Sequence, residues 1–458
     1  MADHQVEAIQ YAHTHQDQFL QELEAFCEIP SISTDPQYAA EMQKCANWVA
    51  NRLQTAGIEH VTVYPTQGHP VVYGDYLKAG DDAPTVLIYG HYDVQPAEPL
   101  DKWSTDPFKP EIKGENLYAR GATDMKAQVM ATIKAVESIL KTGALPVNVK
   151  FMIEGEEEIG SPNLDEFIQN HRDQLACDVF LNPDTGMINA DTPTITYGLR
   201  GLAYFEIRLR GARSDLHSGV FGGVVHNPAQ VLCELIAGMH DGEGRVTLPG
   251  FYDSVRALGE EERAELNRLP MNEETFLELS GAPQLWKGER PYTAVERQGA
   301  RPTLEINGII SGFTGEGSKT VLPAAAMAKI SMRLVPDQDP VEVGNQLRAY
   351  LQANTPPTVT WEISELTGSK ASISDRHSAG VQALSQALEK VWGKRVVYKR
   401  EGGSVPVVTQ MQQILNVDAV NTGFSTPGDN MHGPDEKTHL PSWRKGIDAL
   451  IYFFFNFS

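Results

Sequence analysis

Thr85-Val-Leu-Ile-Tyr89 is an unbroken apolar run, and His91 and Asp93 stand just past its end. A short continuous run of this kind fits a strand buried on both faces, as in a parallel sheet. The arrangement recurs along the chain. Val147-Asn-Val-Lys-Phe-Met-Ile153 leads into Glu154-Gly-Glu-Glu-Glu158, and Asp178-Val-Phe-Leu181 leads to Asp184. Val417-Asp-Ala-Val420 leads, through a Gly- and Pro-rich loop, to Asp429 and His432. Helical patterns accompany these runs at about 5–29, about 37–56 (stopping at Gly57) and about 125–141 (closed by Gly143). The alternation predicts an α/β fold, with a mostly parallel sheet flanked by helices.

The pattern changes near Gly198-Leu-Arg-Gly201. Phe205, Ile207 and Leu209 share one face of an alternating run, and Ile330, Met332 and Leu334 share one face of another. Antiparallel strands with one solvated face read this way. With helices at about 228–240 and about 340–353, they predict an α+β sandwich domain. After Leu366-Thr-Gly-Ser-Lys370 the α/β pattern resumes. The expected organisation is therefore residues 1–198 and 367–458 as two parts of one domain, with 199–366 inserted between them. The acidic stretch from about 241 to about 300 is irregular and partly helical, and no chemistry is read in it.

The 458 residues carry 60 Asp and Glu against 38 Lys and Arg, a net charge of −22. That balance argues against a nucleic-acid partner, because phosphate binding needs clustered cations. The 41% hydrophobic and 21% charged content suits a soluble globular chain rather than a disordered or collagen-like one. Four cysteines (Cys27, Cys45, Cys177 and Cys233) form no CxxC pair, so reduced, mostly buried thiols are expected. Residues Met1 to Leu20 lack the apolar core of a signal peptide, and Ile451 to Phe457 is too short to span a bilayer. A cytoplasmic protein without a membrane segment is the expectation.

In an open α/β sheet, ligands bind outside the carboxyl ends of the strands, so groups following several strands can converge on one cleft. Four Glu in five residues, taken alone, would read as a solvated turn. Here the run directly follows a buried strand, and no Lys or Arg lies among residues 151 to 171. Crowded carboxylates at a desolvated strand end repel unless some are protonated or a cation sits among them. Oxygen and imidazole donors without cysteine suit zinc, manganese or cobalt. Asp93 can accept a hydrogen bond from the distal ring nitrogen of His91 and fix its tautomer. Asp124, in Arg120-Gly-Ala-Thr-Asp124, is either a further ligand or an N-cap of the helix behind it.

Together these segments resemble the family of co-catalytic metallopeptidases that includes carnosine dipeptidase, aminoacylase and carboxypeptidase G. The matching stretches are Gly90-His-Tyr-Asp-Val-Gln-Pro96, Arg120-Gly-Ala-Thr-Asp-Met-Lys126, Glu154-Gly-Glu-Glu-Glu-Ile-Gly-Ser161, Asp184 and Met431-His432, in the family's order. Asp215-Leu-His-Ser-Gly-Val-Phe-Gly-Gly223 and Lys319-Thr-Val-Leu-Pro323 extend the likeness into the insert. The resemblance implies a zinc-exopeptidase type of fold with a lid and dimerisation insert. It also implies two divalent metal ions per subunit, zinc first, with manganese or cobalt as other fits. His91 and Asp184 would hold one ion, Glu158 and His432 the other, and Asp124 would bridge them. Glu157 would be the general base and Asp93 the partner of His91. His217 and Thr320 would reach the partner subunit's active site in a homodimer, while Arg333 and Ser404 would hold the substrate carboxylate. Aspartate at 184 resembles the dipeptidase branch, which implies small dipeptides as substrates. An amidohydrolase of N-acyl or N-carbamoyl amino acids is the alternative. A non-catalytic scaffold is disfavoured because His91, Asp124, Glu157, Glu158, Asp184 and His432 are all present.

Overall fold

The computed structural model describes residues 2–403 and 405–458. They form two compact units. The first runs to Tyr197 and adds Ser374–Lys399 and Val407–Ser458; the second comprises Gly198–Ile373 and Arg400–Pro406. The insert therefore ends at Ile373 rather than at 366. Residue 366 lies inside the strand Thr360–Ser369, whose alternation of burial gives way to exposed residues from Ser364 to Gly368, so the pattern fades before the strand ends.

In the first unit the sheet runs in the order Thr62–Tyr64, Val71–Tyr76, Asn148–Glu154, Thr85–His91, Val179–Asn182, Asp418–Asn421 and Thr194–Leu199. The four strands from Asn148–Glu154 to Asp418–Asn421 are parallel, and the flanking pairings are antiparallel. Every residue of Asn148–Glu154 is buried, as a strand covered on both faces requires. Register sets His91 beside Glu154 and Asn182 beside Asn421, so the carboxyl ends share one edge of the sheet. The helix Ala127–Thr142 is buried from Ala127 to Ile139 and packs against Ala2–Thr14 and Leu440–Phe457. The single amino-terminal helix expected at 5–29 is instead two, Ala2–Thr14 and Gln16–Cys27, interrupted at His15. The helix Ala39–Ala56 ends at Gly57, whose φ of 107° is a left-handed cap that favours glycine.

The second unit holds an antiparallel sheet in the order Thr303–Ser311, Ala325–Leu334, Gly201–Arg210, Thr360–Ser369. Ala203, Phe205, Ile207, Ile330 and Met332 face the helices Pro228–Gly238 and Pro340–Asn354 and close the core with Val231, Leu235 and Leu347. The alternate residues, Tyr204, Ser331, Arg333 and Glu305 among them, lie on the opposite face. Three short helices, Glu260–Leu266, Glu273–Ser280 and Ala294–Gly299, occupy the acidic segment. The last two begin with capping boxes, Asn272 with Thr275 and Thr293 with Glu296.

The four cysteines are free: Cys27 and Cys45 are buried, Cys177 is partly buried and Cys233 is exposed. Among the described residues no helix is long and apolar enough to cross a membrane.

Candidate metal centre and active site

At the shared edge of the parallel strands, two sets of donor atoms meet. His91, Asp124 and Asp184 each offer an atom within 4.8 Å of the others, and Asp124, Glu158 and His432 do the same. Asp124 belongs to both sets. His91 Nε2 lies 3.1 Å from its Oδ1, and His432 Nε2 lies 2.8 Å from its Oδ2 and 3.3 Å from Glu158 Oε2. The following helix starts at Ala127 with no side-chain cap, so Asp124 does not act as its N-cap.

The run of glutamates divides its work. Glu154 accepts from Tyr89 Oη at 2.8 Å and from Ser161 Oγ at 3.0 Å, and Glu156 accepts from His69 N and Asn163 Nδ2. Those two are buried and structural. Glu157 and Glu158 begin a short 3₁₀ turn, with Glu158 aimed at His432 and held by Gln95 Nε2 at 2.7 Å. Asp93 receives the backbone N–H groups of both, at 3.2 and 3.0 Å, which fixes that turn. Its relation to His91 is split: ring Nδ1 is 3.1 Å from the Asp93 carbonyl oxygen and 3.4 Å from Oδ1.

Charge crowding is strong here. Burial pushes Asp184 up to about 7, with Asp124 and Glu158 adding to the rise and His91 opposing it. Burial also raises Glu157 well above the usual carboxylate range, and Asp184, Glu158 and Asp124 raise it further against the pull of His91. Burial works to raise Asp124 as well, but hydrogen bonds with His432 and His91 outweigh it and hold this carboxyl well below that range. His432 rises to about 10, through its contacts with Asp124 and Glu158. Oxygen and imidazole donors, no sulfur, and buried carboxylates that need a counter-charge are a donor set that fits divalent cations.

Two residues missed at the sequence level organise the site. Glu436 is buried; its Oε1 accepts from the Thr123 and Asp124 backbone N–H groups at 2.9 and 3.1 Å, and its Oε2 from Gly121 N at 2.9 Å. Arg120 Nη1 pairs with the same Oε2 at 2.6 Å, while Nη2 donates to the carbonyls of Pro96 and His432 at 3.0 and 3.2 Å. One ion pair thus joins the segments that carry Asp124 and His432. Arg120 opens one of the stretches already quoted and Glu436 stands four residues past His432, but no spacing rule marks either.

Three further expected residues, His217, Thr320 and Arg333, lie in the second unit. His217 is exposed on the short strand Leu216–His217, which pairs with Val321–Leu322, and its Nδ1 accepts from Gly219 N at 3.0 Å. Thr320 is exposed, and its carbonyl accepts from Ser218 N. Arg333 lies on the polar face of the four-stranded sheet, in register with Thr303 and Leu202. Ser404 lies outside the described residues.

Comparison with known proteins identifies similar chains. The model of peptidase family M20/M25/M40 matches residues 87–456. Cys-Gly metallodipeptidase DUG1 of Candida albicans is 31% identical over 458 residues, covering 94% of this chain and 93% of that protein. Human Beta-Ala-His dipeptidase is 32% identical over 464 residues, covering 97% and 91%. Among solved structures, the M20 family metallo-carboxypeptidase Sso-CP2 from Sulfolobus solfataricus superposes with a TM-score of 0.84 at 32% identity, over 96% of this chain and 99% of that one.

Proposed function

The chain belongs to peptidase family M20/M25/M40, and from that premise we propose that it hydrolyses the peptide bond of small dipeptides using two divalent cations per subunit. The observation that supports this most directly is the pair of donor sets sharing Asp124. In this reading His91 and Asp184 would hold one ion and Glu158 and His432 the other, with Asp124 a ligand common to the two sets. Zinc is the first expectation, manganese or cobalt the next. When bound there, such a pair supplies polarisation of the scissile carbonyl and acidification of water.

Glu157 takes a proton from the attacking water at its carboxylate and returns it to the leaving amine. Burial among like charges makes that carboxylate a stronger base than an exposed glutamate would be. Asp93 keeps the His91 ring and the Glu157–Glu158 turn in place. Arg333 and Ser404 bind the substrate carboxylate, for which a guanidinium offers two parallel N–H donors. His217 and Thr320 complete the active site of the partner subunit in a homodimer formed through the inserted unit, His217 stabilising the oxyanion. Ile309 and Ile310, each more than half exposed on the edge strand Thr303–Ser311, support such self-association. The free cysteines support a cytoplasmic setting.

Glu157→Ala is expected to keep both metals by elemental analysis and to lose activity on the order of 10²–10⁴-fold. Full wild-type activity on an enzyme shown to be stripped of metal would refute the reading. The likeness to a metallo-carboxypeptidase favours one competitor, an enzyme that accepts a blocked amino end. Comparison of free dipeptides with their N-acetyl forms and with N-acyl or N-carbamoyl amino acids separates the two. Preference for the blocked substrates would install the competitor.

A further inference from the structure

Asp429 follows the strand Asp418–Asn421 as the other acidic and imidazole groups follow theirs, yet it belongs to neither donor set. It is buried, within the first unit. Its Oδ2 accepts from Thr426 N at 2.6 Å and from Thr123 Oγ1 at 3.2 Å, and its Oδ1 accepts from Thr426 Oγ1 at 2.9 Å. The Asp429 backbone N–H donates to the Thr426 carbonyl at 3.0 Å, so residues 426–429 form a closed turn. Thr123, from a segment distant in the chain, ties that turn to the residue directly before Asp124.

All three polar groups of Thr123 are engaged. Asp429 takes the hydroxyl, Glu436 takes the backbone N–H, and Gln128 Nε2 donates to the carbonyl at 3.5 Å. Gln128 Oε1 in turn accepts from Phe424 N at 3.3 Å, a second tie to the same loop. The loop so held is strained. Asn430, His432 and Asp435 have φ of 55°, 62° and 58°, in the left-handed region that favours glycine. Backbone of that kind persists only where its neighbours over-determine it. The two sides of the bond are unequal. Asp124 keeps a tie to Glu436 through its own N–H, and its side chain is 9% exposed. The His432 side chain is 51% exposed, and its backbone is held by Arg120 at the carbonyl. His432 therefore depends on the 426–429 turn more than Asp124 does.

We propose that Thr123 and Asp429 are positioning residues of the metal centre: the bond between their side chains locks the strained His432 loop to the Asp124 turn and keeps His432 presented to an ion. This inference rests on the two-ion reading, in which His432 and Glu158 share one ion. Without the bond the loop relaxes and that ion is held less tightly. The ion assigned to His91 and Asp184 is spared, because those ligands follow other strands and Asp124 retains Glu436.

Chelator titration of the cobalt(II)-loaded enzyme, with d–d absorption and bound metal followed together, tests the clasp. Thr123→Val removes the hydroxyl at nearly constant shape, and Thr123→Ser keeps it. The wild type is expected to release cobalt to EDTA in two steps, one of which is lost in His432→Ala and is thereby assigned. In Thr123→Val that step is expected at an EDTA concentration lower by on the order of ten-fold, with the other step unmoved. Thr123→Ser is expected to restore it. Asp429→Ala, which also loses the Thr426 contacts, should move the same step in the same direction. Two unmoved steps, an equal shift of both, or a serine variant that behaves like the valine one would overturn the proposal. A wild type that binds a single cobalt ion would defeat the two-ion reading instead. The clasp would then be judged on that ion alone, which must weaken in Thr123→Val and recover in Thr123→Ser.

Discussion

Asp93 has no solvent exposure and faces three demands at once. Its carbonyl and Oδ1 approach His91 Nδ1, and its carboxylate takes the N–H groups of Glu157 and Glu158. A carboxylate only accepts, which is what three donors require, whereas asparagine must turn an NH₂ toward one of them. Asp93→Asn is therefore expected to lower both kcat/KM and metal affinity, each by about 10–100-fold. Chelator competition alongside kinetics measures the pair of effects, and unchanged metal affinity would reduce Asp93 to a packing residue. The His-x-Asp pattern made the partnership with His91 legible, but the backbone half of it was not. Amide and carbonyl directions depend on how the chain turns after the strand. His432 makes the same point: its φ of 62° is a left-handed conformation costing on the order of 1 kcal/mol for such a residue. A loop rich in Gly, Pro and Asn announces a turn without saying which residue will occupy that region.

Elements buried on both sides were the ones the sequence marked most clearly. Val147–Ile153 and Asp178–Leu181 became Asn148–Glu154 and Val179–Asn182, because only a strand covered on both faces sustains such runs. Capped helices also kept their ends, as Gly57 and Gly143 show. What escaped was set by long-range partners. Helix Ala127–Thr142 buries Lys134 on a face where periodicity predicts none, because Glu22 and Glu137 meet its Nζ at 2.5 and 2.6 Å. Burial tends to raise the Glu22 carboxyl, but Lys134, Gln18 and Arg52 outweigh it and lower it below 4.5. A carboxyl depressed in the folded state stabilises fully above its unfolded pKa, and the gain is lost as pH falls through the folded value. Glu22→Gln is thus expected to cost about 1.5–3 kcal/mol near neutrality. The deficit should shrink as the pH drops below 4.5. Urea titrations at pH 7 and in the acid range check the sign; a deficit that grows with acidity would contradict it. The segment from about 241 to about 300 escaped for a related reason, since Phe276, Leu285 and Trp286 acquire meaning only against a sheet face distant in the chain.

At the scale of the molecule, net charge argues against nucleic acid as a partner but conceals a cationic cavity, because a sum over 458 residues says nothing of where four arginines gather. Division of labour between the two units is the larger consequence. His91, Asp124, Glu158, Asp184 and His432 all belong to the first, and the cavity with Arg200 and Arg333 belongs entirely to the second. Each unit also has buried apolar residues of its own. A ligand that binds only the folded form stabilises it by about 2.7 kcal/mol when present at about 100 times its Kd. Divalent ions should therefore protect the first unit. Hydrogen exchange read by mass spectrometry can resolve this. Chelation is expected to speed exchange across Thr85–His91, Ala122–Lys126 and the 421–434 loop while leaving Gly201–Arg210 and Ala325–Leu334 as they were. If chelation loosens both units equally, they unfold as one cooperative body; if it loosens neither, the donor sets around Asp124 do not hold the ions that the proposed chemistry requires.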